Sequence, residues 1–490
     1  MNDSKLQGHG MLVRLVSTAS LSLILSLAAA STAHAAPDLD ILASAGLGDE
    51  LGGQVRAIDV SGDGLVLASE SRGQGTLLRL DRFGERVGAD LEIPVGVDDL
   101  AVDRGSGNVV IVGGDGLAVF DPGFAPLWQR SLDAGVRRRV ALGELGTIAA
   151  LAGDTLHVFT TDGDPLGQVA HGQDVTGGIA VLERDDLVIA SGSRLRDVCD
   201  TTIDVASLAA FAFDGTRRWH AYGDATEAQL CGAGEPASTR GVSVARGDDG
   251  LVYLLAEVEG RDDIFRARPD GSGTDANNVA FDVYTDPETA HPERSAYFAR
   301  FTPDGRHLVG QYFLLPAAGS VVEAREIAAD EHGNVYITGA VSHSLGAADE
   351  VAVTERLDRM VGFFQVVEPD FEARRVWEQL DADGMRTEIA ALVLAGDHAV
   401  TLLEATPIDG QTEGALPSGS TILQWSGGFG PVAADKRPDP ETQGTFGYES
   451  GVSGSDPTCY CDADAPVAPG ALLAIIVFGI AGLQRPCRRD

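Results

Sequence analysis

The positions of the cysteines are the strongest indication of chemistry in this sequence, because cysteine can form disulfides and bind metals. Only five cysteines occur, and two of them, Cys199 and Cys231, lie in the middle of the chain. In an oxidising compartment such a pair can form a disulfide that closes a long loop. The chain has no Cys-x-x-Cys motif and no Cys/His spacing suited to zinc. We therefore predict a Cys199–Cys231 disulfide, against the alternative of two unpaired thiols in an insertion.

The other cysteines lie near the C-terminus, where Cys459 and Cys461 precede an uncharged segment at 465–484. At about 1.5 Å rise per residue, a helix over this segment is about 30 Å long, enough to span a bilayer. Three arginines follow the segment and would hold its end on the cytoplasmic side: Arg485, Arg488 and Arg489.

Motifs of known catalytic constellations are absent from the sequence. There is no G-x-S-x-G, no H-E-x-x-H and no phosphate-binding loop, and no two of the ten histidines have helical metal spacing. With 73 acidic residues, chance carboxylate pairs are inevitable, so a glycosidase-like pair carries no weight. We assign no catalytic, cofactor-binding or metal-binding residue from the sequence.

Two acidic stretches invite comparison with calcium loops. The stretch 381–384 (Asp-Ala-Asp-Gly) has some EF-hand character, but Gln379 and Ala390 would then occupy the first and last ligand positions. The stretch 270–275 is either a calcium loop or a flexible acidic turn. The sequence favours no cofactor, with Ca²⁺ as the weaker alternative.

The net charge excludes one class of partner. Lys and Arg total 36 against 73 acids, which gives a formal net charge of −37. Such a surface repels nucleic acid and anionic lipid, so we expect neither as a ligand. Solubility in a salty medium explains the acidity more simply than calcium binding does.

The N-terminus has the features of a Sec-type signal peptide. Lys5 and Arg14 form a basic region, residues 21–30 are apolar, and Ala33 and Ala35 flank an A-x-A cleavage site. We expect cleavage after Ala35, against the alternative of an uncleaved N-terminal anchor.

The body of the chain is an internal repeat in seven copies. Each copy begins with an apolar strand, an Asp or Gly turn and a second, β-branched strand, and it continues with a second pair of short strands. The first halves are residues 57–69, 100–114, 140–153, 178–192, 241–257, 326–340 and 388–404. The second halves begin at Thr76, Leu117, Leu156, Leu208, Tyr297, Phe363 and Thr421.

This repeat predicts an all-β fold. The first four copies recur at about 40 residues, the period of a four-stranded propeller blade. One such sheet cannot bury both faces alone, whereas blades stacked around an axis can. We predict a seven-bladed β-propeller of four-stranded antiparallel blades, against a series of β-sandwiches or a solenoid.

Residues 296–344 resemble the beta-propeller repeat family known as SBBP, in which "IAVDxxGNVYVTG" is typical. The matching positions are 327–330 and 333–339. Blades with Trp128 and Trp219 are also similar to quinoprotein-type propeller repeats. The matches are structural, and the resemblance transfers no activity.

Within this motif each residue has a structural role. Gly333 and Asn334 suit a tight turn, and Val335 and Tyr336 begin the strand that follows. Alternate residues of that strand should face opposite sides of the sheet.

The C-terminus resembles the MYXO-CTERM type of sorting tail of myxobacterial surface proteins, which combines a cysteine, a spanning segment and a basic end. In that family the tail is processed near the cysteine and the protein is displayed on the cell surface. The resemblance implies processing near Cys459 or Cys461, and Cys487 departs from the simplest pattern. The alternative is a permanent single-pass anchor in the inner membrane that leaves the protein facing the periplasm.

These segments define the predicted domain organisation. It comprises a signal peptide (1–35), a propeller (36–431), a disordered acidic, Gly-, Pro- and Ser-rich linker (432–458) and a sorting tail (459–490) with its transmembrane segment.

The predicted function is non-enzymatic binding, adhesion or scaffolding at the cell surface or outer membrane. The ligand is an unknown extracellular protein or polysaccharide, and the other partners are the export machinery, a sorting protease and, through the C-terminal segment, the membrane. Insertions at 193–207, 224–239 and 271–295 are expected on loops, where propellers place ligands, against the alternative of tolerated surface insertions without function. The alternatives are a secreted hydrolase or lyase, a quinoprotein-like dehydrogenase, or a surface-layer component. An enzyme should have acids, histidines or arginines converging on the mouth of the central channel.

Overall fold

The computed structural model describes residues 38–43, 54–62, 64–93, 96–114, 116–133, 138–231, 238–259, 264–267, 274–276, 293–305, 308–314, 321–343, 356–369, 371, 374–382, 384–396, 398–408 and 419–426. These residues belong to the first of two compact units, Met1–Gly444. The predicted cleavage site, linker and sorting tail, with Ala33, Ala35, Cys459 and Cys461, lie outside them. Within the described part of the chain, no helix has the length and apolarity needed to cross a membrane.

Seven antiparallel sheets, here called blades 1 to 7, follow one another along the chain. Blade 1 comprises β2 (Gln54–Ser61), β3 (Gly64–Ser71), β4 (Gln74–Leu80) and β5 (Leu91–Ile93). Blade 2 comprises β6 (Asp99–Val102), β7 (Val109–Gly113), β8 (Gly116–Phe120) and β9 (Pro126–Ser131). Blade 3 comprises β10 (Arg138–Leu142), β11 (Ile148–Ala152), β12 (Thr155–Phe159) and β13 (Pro165–Ala170).

Blade 4 is enlarged to six strands by a short hairpin from a later part of the chain. Its strands are β14 (Val175–Leu182), β15 (Leu187–Val198), β16 (Thr201–Ala212), β17 (Arg217–Tyr222), β20 (Phe265–Ala267) and β21 (Thr274–Ala276). A 3-10 turn (Glu183–Asp185) and one short helix, α1 (Glu227–Cys231), adjoin it.

Blades 5 to 7 complete the set. Blade 5 comprises β18 (Thr239–Arg246), β19 (Val252–Glu259), β22 (Arg294–Phe301) and β23 (Leu308–Leu314). Blade 6 comprises β24 (Val322–Ala329), β25 (Val335–His343), β26 (Arg356–Val367) and β27 (Arg374–Leu380). Blade 7 comprises β28 (Met385–Ala395), β29 (His398–Pro407), β30 (Gly419–Ser426) and β1 (Asp38–Ala43).

The first strand of each blade contacts the first strands of the two neighbouring blades, and β28 contacts β2, so the seven blades form a closed ring. The predicted seven-bladed, all-β propeller is therefore confirmed, and a solenoid or a series of sandwiches is excluded. Each predicted first half is the inner hairpin of a blade; residues 57–69, for example, lie in β2 and β3.

The core lies between blades because strand residues point alternately to the two sheet faces. On β3, Leu65 and Leu67 pack toward blade 7, whereas Val66 and Ala68 pack toward blade 2. This explains why the repeat reads as continuous short apolar runs rather than as alternating apolar and polar residues.

Tryptophan connects neighbouring blades at the outer edge. Trp128 on β9 donates its indole N–H to the carbonyl of Thr161 at 2.8 Å, and a Cβ added to Gly163 would lie 2.8 Å from the indole. The same arrangement recurs between blades 4 and 5 with Trp219 and Gly305, where the distance would be 2.3 Å. In blades 2 and 4 the second strand pair therefore carries a Trp that contacts the next blade.

The matched motif of blade 6 behaves as expected. Gly333 has a φ of +78°, which a tight turn requires of glycine. Asp330 accepts hydrogen bonds from the backbone N–H of Asn334 at 2.9 Å and from the hydroxyl of Tyr336 at 2.9 Å. Val335 packs toward blade 5 and Tyr336 toward blade 7, which confirms the predicted alternation.

The ring closes through a strand from the other end of the chain. β1 pairs antiparallel with β30, with Asp38 opposite Ser426, and it supplies the fourth strand of blade 7. The repeat pattern did not predict this closure.

The insertion 193–207 is not a loop, and that prediction was wrong. β15 and β16 stay paired as far as Val198 and Thr201, so the insertion extends a hairpin. The two-residue turn at Cys199 and Asp200 has φ values of +52° and +60°. Cys199 is joined to Cys231 by the predicted disulfide, with a Cα–Cα distance of 6.0 Å.

Candidate functional site

The inner strands of the seven blades surround a cavity of about 1110 Å³ on the ring axis. Among the described side chains that line it, carboxylates outnumber arginines, and none is a histidine or a lysine. Charged residues line this channel midway along it, at the end where the inner strands begin, and at the opposite end.

The midway acids connect inner strands of adjacent blades. Asp59 accepts hydrogen bonds from the backbone N–H of Val60 at 2.7 Å and, in the next blade, of Val102 at 2.7 Å. Asp99 does the same one blade further on, and it accepts from Val140 at 3.0 Å. Both carboxylates are therefore engaged by the backbone of the ring.

Burial dominates the ionisation of these acids. Desolvation raises the pKa of Asp59 to about 6, against the lowering effect of its two backbone hydrogen bonds and of Arg104. Burial likewise raises the pKa of Asp99, which Arg139 opposes from an Nη1–Oδ1 distance of 4.0 Å.

Two further contacts complete the midway layer. Arg139 donates from Nε to the carbonyl of Gly177 at 3.1 Å, and the hydroxyl of Ser243 donates to Glu326 at 2.7 Å. Burial raises the pKa of Glu326 despite the attraction of Arg139. Because its members bond across blade boundaries, the layer is accounted for by the structure of the ring.

The second group, here called the mouth network, lies where the inner strands begin. Its members come from blades 4 to 7, and all of them except Glu259 and Arg386 line the cavity: Asp204, Arg240, Glu257, Glu259, Arg294, Glu323, Arg325, Arg386, Glu388 and Glu404. It contains more carboxylates than guanidinium groups.

Arg240 and Arg294 anchor one side of the network. Arg240 donates from Nε to Asp204 Oδ2 at 2.7 Å, and its Nη1 lies 3.3 Å from Glu259 Oε1. Arg294 Nη2 lies 3.1 Å from the same Glu259 oxygen, while its Nη1 is 3.7 Å from Glu323 Oε1.

Arg325 and Arg386 anchor the other side. Arg325 donates from Nη2 to Glu323 Oε2 at 3.2 Å and from Nε to Glu388, and Arg386 donates to Glu323 at 2.9 Å. Glu404 lies directly opposite Glu388 in the β28–β29 ladder. Burial, and then the charge of Glu388, raise the pKa of Glu404.

Glu257 differs from the other acids of the network. It is only 6 % exposed, and its Oε1 atom has no hydrogen-bond partner among the residues that the structure describes. Its nearest cationic atom is Arg294 Nη1, 3.8 Å from Oε2. Burial raises the pKa of Glu257, which Arg294 and Arg325 oppose.

The insertions leave the ring at this same end. The tip of the β15–β16 hairpin, the connection containing α1, and the connections from β19 to β22, β25 to β26 and β29 to β30 all start beyond the network. The mouth is therefore the end of the channel at which the chain's insertions begin.

The opposite end is simpler. There Glu144 pairs with Arg246 at 2.6 Å and with Arg184 at 3.5 Å, and Arg104 donates to the carbonyl of Leu394 at 3.0 Å. The Arg246 hydrogen bond lowers the pKa of Glu144.

The described residues of the two acidic stretches compared with calcium loops are not part of the channel lining. Asp381 accepts two hydrogen bonds from Arg359, at 3.1 and 2.6 Å, so both its oxygens are occupied. Of the stretch 270–275, only Thr274 and Asp275 are described, and they belong to β21. In the described ranges, no three His, Cys, Asp or Glu side chains are grouped to hold a metal ion.

Sequence reasoning missed the mouth network. A signal was present, because charged residues occupy the second or fourth position of the inner strands β18, β24 and β28, just before the apolar run. Among 73 acids, however, such positions become distinctive only once the inner strands are known to share one axis.

Comparison with protein-family models and with curated proteins finds no match to this chain. The resemblances to the propeller repeat family and to the sorting tail rest on the quoted residues alone.

Proposed function

We propose that this protein is a propeller displayed on the cell surface, which binds an extracellular protein or polysaccharide at the mouth of its central channel without catalysing a reaction. One observation carries the proposal: a cavity of about 1110 Å³ opens through a charged network, at the end where the insertions leave the ring. Ligand sites are typically concave, with volumes of roughly 300–1,000 Å³ and a few convergent polar groups.

Display at the surface is supported by the sequence features at both ends. The signal peptide, linker and sorting tail form a consistent series for export and anchoring. The Cys199–Cys231 disulfide fits an oxidising compartment.

An enzyme is the second candidate, because acids and arginines do converge on the channel. The midway acids, however, are engaged by backbone N–H groups, and the arginines of the mouth network are paired with carboxylates. Among the described residues that line the channel there is no histidine, the commonest general base. Binding therefore fits this geometry better than acid–base catalysis does.

A blocked mouth tests the binding proposal. Purified full-length protein is mixed with extracellular matrix from the cells that produce it, and the bound fraction is measured after sedimentation. We expect Arg386→Trp, which places an indole at the mouth, to lower the bound fraction. The control Arg184→Trp, an exposed site at the opposite end, should bind like the wild type. Equal binding by the three proteins would refute a role for the mouth, and release of soluble fragments from the matrix would favour the enzyme.

Mass spectrometry of the protein recovered from its native envelope tests display. We expect mature termini near Ala36 and near Cys459 or Cys461. A chain that still ends at Asp490 would indicate a permanent membrane anchor.

A further inference from the structure

We propose that Glu257 is the receptor for an organic cation, a guanidinium or alkylammonium group carried by a polypeptide partner, which enters the channel mouth. The inference rests on the proposed function and adds the chemical class of its ligand.

The first observation is an unused acceptor. Glu257 lines the channel and is 6 % exposed, and its Oε1 atom is buried without a hydrogen-bond partner within the described residues. A buried carboxylate oxygen without a hydrogen bond is costly, and a ligand that donates N–H groups to it recovers that cost. Guanidinium suits this best, because its planar fork can donate two parallel hydrogen bonds to a carboxylate.

The second observation is that the internal cations are already engaged. Arg240 is held by Asp204, and Arg325 by Glu323 and Glu388. Arg294 donates to Glu259 at 3.1 Å and stays 3.8 Å from Glu257, beyond hydrogen-bonding distance. Arg294 therefore acts on Glu257 through its charge alone and leaves the Oε1 atom without a hydrogen bond. Carboxylates also outnumber guanidinium groups in the network, so its formal charge is negative.

The negative charge around Glu257 determines which class of ligand can bind. Glu257 shares the mouth with Glu323, Glu388 and Glu404, so an anionic ligand would be repelled. A neutral hydroxyl would satisfy the hydrogen bond without balancing the charge. A bare metal ion is disfavoured, because no metal-holding group of side chains occurs in the described ranges.

A polypeptide source is favoured by a donor beside the acceptor. The buried Nε of Arg294 also has no hydrogen-bond partner among described residues. A single basic residue of a partner can satisfy both atoms, its side chain donating to Glu257 and its backbone carbonyl accepting from Arg294. A simple polyamine has no such acceptor.

The experiment compares three capped tripeptides, acetyl-Gly-X-Gly-amide, with X as arginine, lysine or citrulline. Citrulline keeps the shape of arginine without its charge. Binding to the full-length protein is measured by ligand-observed NMR near neutral pH. We expect the arginine or lysine peptide to bind at least about tenfold more tightly than the citrulline peptide, and the stronger of the two identifies the cation.

Two variants localise the site. Glu257→Gln should weaken binding of the cationic peptide by about tenfold or more, whereas Glu144→Gln, at the opposite end of the channel, should bind like the wild type. If Glu257→Gln does not fold, Glu257→Asp, which keeps the negative charge, replaces it as the test variant. The difference in affinity between the arginine and citrulline peptides for the wild-type protein then still tests whether the site selects a cation.

Several results would overturn the inference. Equal binding of arginine and citrulline peptides, no peptide binding at all, or an equal loss in both variants would each do so. The last would mean that the overall charge of −37 attracts the peptide rather than Glu257. Matrix binding that is lost in Arg386→Trp but kept in Glu257→Gln would leave the proposed function standing and refute the ligand class alone.

Discussion

Asp59 shows how a single residue joins two blades and makes their junction sensitive to pH. Its carboxylate accepts one N–H from its own strand and one from blade 2, and burial raises its pKa to about 6. Because the pKa is higher in the folded state than in the unfolded one, the stability linked to this group is complete at low pH. It is lost as the pH rises through about 6.

We therefore predict that Asp59→Asn removes a pH-dependent part of the free energy of unfolding. The difference in unfolding free energy, wild type minus variant, should fall by about 2 kcal/mol between about pH 4.5 and pH 7. Urea unfolding curves of both proteins across this range give that difference. A difference that does not change with pH would show that Asp59 has an ordinary pKa.

The second residue-scale prediction concerns the tryptophan contact. An alanine Cβ at Gly305 would lie 2.3 Å from the Trp219 ring, so Gly305→Ala should destabilise the protein by about 2–4 kcal/mol. The control is Gly250→Ala, which has a similarly positive φ of +83° but open space around the Cβ, and should cost about 1 kcal/mol. Equal unfolding midpoints for the two variants would mean that the indole does not pack on this turn.

For single residues, the sequence predicted turn positions and the sheet face of strand side chains, but it did not predict the residues of the mouth network. Gly333 and the alternation of Val335 and Tyr336 follow from local backbone rules and were predicted. The setting of Glu257 arises from residues of blades 5 and 6, which meet only through the tertiary structure.

Among the elements, the β15–β16 hairpin stands out because it extends past its blade and is held at its tip by the disulfide to α1. A small cluster of Val198, Ile203, Val205 and Leu230 surrounds the bond. The hairpin lies at the end of the channel that carries the mouth network, so its order affects the rim of the candidate site.

We predict that replacing Cys199 and Cys231 together by serine loosens this tip and leaves the ring intact. The disulfide joins the hairpin tip to α1 across a sequence separation of 32, so without it the two can move apart while the β15–β16 ladder below stays paired. Hydrogen exchange should become faster at α1 and at the hairpin tip, and stay unchanged in β11. Faster exchange throughout the ring would instead show that the disulfide supports the whole fold.

The inner hairpins were predicted because Asp or Gly turns separate two short apolar strands in every copy. The hairpin extension was missed for a physical reason. Its strand residues include Arg194, Arg196 and Asp197, and its turn is Cys-Asp rather than Asn-Gly or Asp-Gly, so the stretch reads as a polar loop.

In the molecule as a whole, β1 closes the ring by pairing with β30. We predict that a chain starting at residue 44 unfolds at a lower urea concentration and forms oligomers, because the free edge of β30 can pair with another chain. Size-exclusion chromatography against protein concentration measures the oligomers.

A synthetic peptide of residues 36–43 should restore the monomer by adding as a strand. A truncated chain that stays monomeric and equally stable would mean that β1 is dispensable.

The closure was predictable in principle. The last repeat copy supplies only one strand after its first half, so a blade of four strands lacked one. Periodicity finds copies of a pattern, and a single strand separated from its blade by the whole repeat is not a copy.

Because β1 pairs with β30, with Asp38 opposite Ser426, the ring can close only after nearly the whole propeller has been synthesised. Ribosomes add roughly 5–20 residues per second, so β1 must wait on the order of 20–80 seconds after its own synthesis before its partner strand exists. Blades 1 to 6 can assemble in that interval, whereas blade 7 cannot be sealed. The nascent chain therefore carries an unpaired strand throughout its elongation, and anything that keeps this strand from pairing elsewhere, such as a chaperone or passage through a narrow pore, will determine the yield of closed rings.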